Sequence, residues 1–153
     1  MNNEKDNVYD LVEDFYAHDE GWNTLLRQEY AEGFLRMEAW KGKKNSDLYR
    51  SWDNLTMLCL YLGSAETFLG DMNADDFIDC IAWCGRNISE FTPDYKNTQD
   101  FLETCDGLFK YLKGKNAISN DTVPATAAEI LLQEGKMNII LPDGSFDEAN
   151  AER

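Results

Sequence analysis

The sequence predicts an all-α protein: a compact multi-helix bundle with a short C-terminal helix and a small β-like hairpin or arm. Two observations carry this fold class. Apolar residues recur at spacings of three and four through most of the chain, which places them on one face of a helix. Residues that cap or stop helices separate those runs: Asn, Ser, Thr and Pro ahead of them, Gly after. The 153 residues, 43% of them hydrophobic, suit one ordinary domain with a packed core. The expected organisation is a helical bundle over residues 1–120 and a C-terminal portion over 121–153.

The first helix is read from Val8, Leu11, Val12, Phe15 and Tyr16. Gly21 interrupts it, and a second run follows in Trp22, Leu26, Tyr30, Phe34 and Met37. Gly42 and Asn45 break that pattern, and Ser46 is the expected N-cap of a third helix, its hydroxyl taking an orphan backbone N–H. This helix buries Leu48, Trp52, Leu55, Cys59 and Leu62 and is expected to stop at Gly63. Gly70 to Asn73 form a turn. Asn73 then caps a helix whose first turn holds Asp75 and Asp76, at the end of the helix dipole that favours negative charge. Its inner face is Phe77, Cys80, Ile81, Cys84 and Ile88.

Thr92-Pro93 is expected to open the longest helix, since proline fits the first helical position. Phe101, Leu102, Cys105, Leu108, Phe109 and Leu112 line it, and Gly114 ends it. Thr126 and Glu129 have capping-box spacing ahead of a short helix through Ile130, Leu131 and Leu132 that ends at Gly135. Met137 to Leu141 reads as a brief strand, Pro142-Asp143-Gly144 as a turn, and Phe146 folds back towards the core. Residues 147–153 read as a loose acidic tail.

Charge narrows the function classes. The chain holds 14 Lys and Arg against 29 Asp and Glu, for a net charge of −15. That total opposes wholesale wrapping of nucleic acid and docking on anionic lipid. The balance is uneven: residues 36–50 carry five positive side chains and two negative ones, while most other stretches are acidic. Lys41, Lys43 and Lys44 form the centre of this basic island, either as a solvated inter-helix loop or as a contact for phosphate or an acidic partner. No apolar stretch is long enough for a membrane span, and the N-terminal residues have neither the basic nor the apolar region of a signal peptide. The expected location is the cytoplasm, with the four cysteines reduced.

The search for chemistry finds no catalytic constellation. Cys59, Cys80, Cys84 and Cys105 each fall on an apolar helix stripe, which points to core packing rather than to thiolate ligands for zinc. Asp75, Asp76 and Asp79 are explained by a helix start in solvent. His18, the single histidine, reads as a loop residue at the surface. There is no phosphate-binding glycine loop, nucleophile elbow or HExxH motif. The expectation is a protein with no enzymatic activity, cofactor or metal.

A sequence of five segments has a family flavour. Leu48 to Gly63 is followed by Phe68 to Met72, then by Ala74 to Cys84, an aspartate-led helix ending in an aromatic and a cysteine. Ser89 to Thr98 comes next, and Leu102 to Ile118 closes the series, with Asp121-Thr122-Val123-Pro124 behind it. In order and wording this stretch resembles the core-binding domain of tyrosine recombinases and phage integrases, a small SAM-like helical bundle. The resemblance covers about residues 48–123 and implies a clamp on one side of duplex DNA. Lys110, Lys113 and Lys115 are the candidate nucleic-acid contacts it implies, with Lys96, Arg50 and Arg86 beside them. The arginines, histidines and tyrosine nucleophile of the family's catalytic half have no counterpart in these residues, so strand exchange is not expected.

Three functions are carried forward. The first is a small cytosolic protein–protein interaction module. Its partner-binding residues are Trp40, Lys41, Lys43, Lys44 and Trp83; Trp40, Trp83 and Tyr111 fall outside the clearest stripes and are expected to be exposed. Its partner is another protein or a second copy in a homodimer. The second is a DNA-binding accessory protein, disfavoured by the net charge. The third is an acidic DNA mimic that occupies a partner's DNA site.

Overall fold

Each helix start can be traced to a side chain that satisfies an orphan N–H. In the computed structural model, which describes residues 7–89, 91–92 and 94–133, the Asn7 side chain accepts the Asp10 N–H at 3.1 Å and opens α1, Val8–His18. Val8, Val12 and Tyr16 are buried, whereas Leu11, expected on the same stripe, turns outward. Asp19 then accepts the Gly21 N–H at 2.8 Å and starts a 3-10 turn over Glu20–Thr24. Trp22 belongs to that turn and not to the second helix. Asn23 Oδ1 reaches forward to accept the Gln28 N–H at 2.8 Å, and only there does α2 begin, Gln28–Trp40. The apolar period read from Trp22 to Met37 therefore spans two separate elements. Ala31, Phe34 and Leu35 form the buried face of α2.

The third helix, α3, spans Asn45–Ala65. It starts one residue ahead of the expected Ser46 cap, because the Asp47 carboxylate accepts the Lys44 N–H at 3.2 Å and makes Lys44 the N-cap position. All five residues expected inside it are buried. The helix also runs through Gly63, where an added Cβ would make only ordinary contact with Leu25 and Trp22, and ends instead at Glu66 in the left-handed region, φ 55°. Helices α1, α2 and α3 pack on one another, with Phe15 stacked on Trp22 at 4.8 Å and edge-on to Trp52 at 5.3 Å.

In α4, Ala74–Asn87, the expected cap is present in full. Asn73 Oδ1 accepts the Asp76 N–H and Asp76 Oδ2 accepts the Asn73 N–H, both at 2.9 Å. Phe77, Cys80, Ile81 and Cys84 are buried as the spacing predicts, and Ile88 lies half-buried just past the helix end. The fifth helix, α5, spans Tyr95–Gly114. Its cap is Asp94, whose carboxylate accepts the Asn97 N–H at 2.8 Å, rather than Thr92; Pro93 lies outside the described residues. At 20 residues α5 is one shorter than α3, which is the longest helix among the described residues. Its six predicted core residues are all buried.

The last helix, α6, spans Val123–Gln133 and begins three residues before the expected capping box. Asn120 Oδ1 accepts both the backbone N–H and the hydroxyl of Thr122, at 3.0 and 2.8 Å, and turns the chain into the helix there. Thr126 is thus internal, its hydroxyl donating to the Thr122 carbonyl at 3.0 Å. Pro124 fits in the first turn, where no intrahelical N–H is needed. Helix α6 packs on α4 and α5.

Among the described residues the protein is all helical, with six α-helices, two short 3-10 turns and no strand. The expected end of α6 at Gly135, the strand at Met137–Leu141, the Pro142-Asp143-Gly144 turn, Phe146 and the acidic tail all lie outside the described residues. The chain forms two compact units, Met1–Leu69 with α1–α3 and Gly70–Arg153 with α4–α6. The division falls between Leu69 and Gly70, ahead of the boundary at 120/121 read from the sequence. Among the described residues no helix is long and apolar enough to cross a membrane.

Candidate protein-binding surface

The turn between α2 and α3 is set by its backbone. The Gly42 N–H donates to the Ala39 carbonyl at 3.0 Å and the Lys43 N–H to the Glu38 carbonyl at 3.1 Å, the paired bonds of a Schellman motif. That motif needs a left-handed residue, and Gly42 supplies it with φ 106°. Trp40 is therefore the last residue of a well-terminated helix, and it is 87% exposed. Lys41, Lys43 and Lys44 follow it, all exposed. Lys43 Nζ lies 3.9 Å from Glu38, at the outer limit of an ion pair. Among the described residues Lys41 and Lys44 have no ion-pair partner. Arg36, which shares the island and is also exposed, is held 4.1 Å above the Tyr9 ring. Lys44 also stands at the N-terminus of α3, where the helix dipole disfavours a cation and only Asp47 offsets it.

Trp83 is the other expected anchor. It lies half-buried on α4 in the second unit, and its carbonyl accepts the Asn87 amide at 2.8 Å. The candidate nucleic-acid lysines are engaged locally. Both carboxylate oxygens of Asp106 lie 2.6 Å from Lys110 Nζ, Lys113 is 3.8 Å from Asp121, and Lys115 stands 5.5 Å over the Tyr111 ring. Tyr111 itself is half-buried.

The four cysteines are all free and buried. Burial pushes the Cys59 thiol up to about 12. Cys80 is raised as well, first by burial, then by its hydrogen bond and proximity to Cys84, and further by Cys105 and Asp79. A thiol must lose its proton to act as nucleophile or metal ligand, so these environments oppose both roles. Among the described residues no group of three or more His, Cys, Asp or Glu side chains is placed to hold a metal ion. His18 is exposed as expected, but in the last turn of α1 rather than in a loop.

Asp76 serves the α4 cap, while Asp79, one turn further on, is held above the ordinary carboxylate range. Partial burial is the main cause, the charges of Asp76 and Asp75 add to it, and Arg86 pulls the other way. A carboxyl whose folded pKa exceeds its unfolded one costs stability at neutral pH and loses that cost as acid protonates it. Asp79→Asn is therefore expected to stabilise the protein at pH 7 by about 0.2–0.5 kcal/mol, the scale of like-charge pairs three and four residues apart, softened by solvent. Urea unfolding of variant and parent checks this, and the difference should shrink as pH falls through the raised pKa of Asp79 and be gone only below the free carboxyl's 3.8.

A second feature was not foreseen. Between α5 and α6 lies a cleft of about 260 Å³, floored by Leu102, Pro124 and Leu132 and edged by Glu103, Asp106 and Glu129. Leu132 is 52% exposed although its neighbour Leu131 is buried. The sequence held one signal for it, the run Ile130-Leu131-Leu132, in which adjacent apolar residues cannot share one helix face.

No family model, curated protein or solved structure matches the chain.

Proposed function

We propose that this protein is a non-enzymatic cytosolic interaction module whose recognition surface is the α2–α3 turn. Trp40 is the anchor, and Lys41, Lys43 and Lys44 steer an acidic partner onto it. The observation that carries the reading is the exposure of Trp40, 87%, beside three exposed lysines in a chain of net charge −15. A tryptophan left in water forgoes the burial that most rings of this size obtain, and Trp is the residue type most enriched among interface hot spots. The backbone supports the same reading: a Schellman-terminated helix presents the ring from an ordered turn, which limits the entropy lost on binding. DNA contact is the less favoured reading, because Lys110 and Lys113 already face Asp106 and Asp121.

Placing an aromatic photo-crosslinking amino acid at position 40, which keeps a large ring where the indole stands, and irradiating intact cells tests the proposal. A covalent protein adduct is expected, and its yield should fall at least tenfold when Lys41, Lys43 and Lys44 are replaced by Glu, the scale of lost electrostatic steering. No protein adduct, or one indifferent to those replacements, would sink the reading. Trp40→Ala should leave the urea midpoint unchanged to within about 0.5 kcal/mol, as befits a surface position.

A further inference from the structure

We infer that the acidic partner of the Trp40 turn is a second copy of this chain, and that the receiving site is the cleft between α5 and α6. The inference rests on the proposed role of the turn and names the surface that completes it. The two surfaces match in chemistry. The turn offers one exposed indole flanked by Lys41, Lys43 and Lys44. The cleft offers an apolar floor of Leu102, Pro124 and Leu132 inside an edge of Glu103, Asp106 and Glu129.

An indole entering an apolar site still needs an acceptor for its N–H, and the carboxylates at the edge supply acceptors. Glu103 and Glu129 are exposed and Leu132 is 52% exposed, so two of the edge carboxylates and one apolar wall are open to a partner, while Leu102 and Pro124 are buried beneath them. Asp106 is shared with Lys110, which leaves Glu103 and Glu129 as the principal anionic contacts.

Global charge sharpens the match. Two copies at −15 each repel one another over most of their surfaces. The α2–α3 island, with five positive and two negative side chains across residues 36–50, is the stretch that an acidic face of another copy attracts. A contact built on one ring and a few charges is small, and small interfaces of this kind are transient. Reciprocal seating closes a two-fold dimer, whereas one-way seating grows a ring or chain.

Sedimentation velocity over a range of protein concentrations, at low and high salt, provides the test. The weight-average mass is expected to rise with concentration at low salt and return to that of the monomer near 0.5 M, where the Debye length shrinks to roughly 4 Å. Two charge-reversed variants follow: Lys43→Glu with Lys44→Glu, and Glu103→Lys with Glu129→Lys. Each alone is expected to stay monomeric with an unchanged helical circular-dichroism spectrum. An equimolar mixture of the two should associate again, because the reversed turn of one then faces the reversed cleft of the other.

Four results would overturn the inference. They are a monomer at every concentration, association that strengthens with salt, association that survives both reversals, or a mixture that stays monomeric. The crosslink at position 40 separates this failure from that of the function. An adduct with a different protein keeps the interaction module and removes self-association, while no adduct and no association remove both.

Discussion

Replacing Phe109 by Ala is expected to lower the unfolding free energy by about 3–5 kcal/mol, the range for emptying a buried aromatic site. Phe109 is 1% exposed on α5 and meets the fully buried Phe77 of α4 edge-to-face, with ring centroids 5.4 Å apart. Leu108, Leu112 and Ile81 are also fully buried in this unit, so the vacated volume adjoins side chains already set in close packing. Truncation therefore forfeits the transfer of the ring from water and also leaves a partly collapsed cavity. The loss is a large part of the 5–15 kcal/mol typical of a folded domain. Phe109→Leu, which keeps most of the volume, should cost much less and provides a folded comparison. Urea denaturation gives both values. A double cycle with Phe77→Ala should show coupling of about 0.5–1.5 kcal/mol, the value of an edge-to-face pair. A drop below about 1 kcal/mol for Phe109→Ala would mean that this packing is not the core of the unit.

Tyr16→Phe is the next largest, an expected loss of about 1–3 kcal/mol. Tyr16 is 2% exposed, and its hydroxyl donates to the Leu26 carbonyl, in the loop that joins the 3-10 turn to α2. Burial raises its pKa far above that of a free phenol, with the nearby Cys59 and Glu32 adding to the shift. The hydroxyl thus stays protonated, and stays a donor, at any pH the protein tolerates. Removing it leaves a buried carbonyl without that partner, the costly side of hydrogen-bond asymmetry. The loss should appear in the urea midpoint and as faster amide exchange at the start of α2. It should not vary between pH 6 and 9, because the group does not titrate there. A Phe variant as stable as the parent would show that water or another group satisfies Leu26.

The same residues show why some of this molecule was legible in advance. The cap at Asn73 was readable because the side chain and the N–H it accepts lie within one helical turn, while the reciprocal bond from the Asn73 N–H to Asp76, rather than to its neighbour Asp75, was not. The stripes of α4 and α5 were readable because long runs at one period leave little ambiguity about which face turns inward. Helix starts were harder where polar residues crowd together. Asn45, Ser46 and Asp47 all suit a cap, and the choice fell to Asp47 reaching back to the Lys44 N–H. Thr122 and Thr126 posed the same ambiguity, resolved by the Asn120 side chain. Trp22 and Leu26 continued a helical period through a segment that Asp19 and Asn23 hold in another conformation.

At the candidate surface, Trp40, Trp83 and Tyr111 all read as exposed aromatics, and of the three only Trp40 is exposed. Trp40 and Trp83 looked alike as aromatics outside the clearest apolar stripes, yet one is 87% exposed and the other half-buried. Lys110 and Lys113 looked like free cations until Asp106 and Asp121 were found beside them. By itself, then, the sequence determined the helical class, the two best core stripes, the thiol positions and the place of the basic island. These rest on interactions within three or four residues, which the order of side chains encodes directly. Tertiary structure alone decided which ring stays in water, where the helices group into two units, and that α5 and α6 leave an acid-edged cleft. Those outcomes depend on packing between residues far apart in the chain, and no local period carries that information.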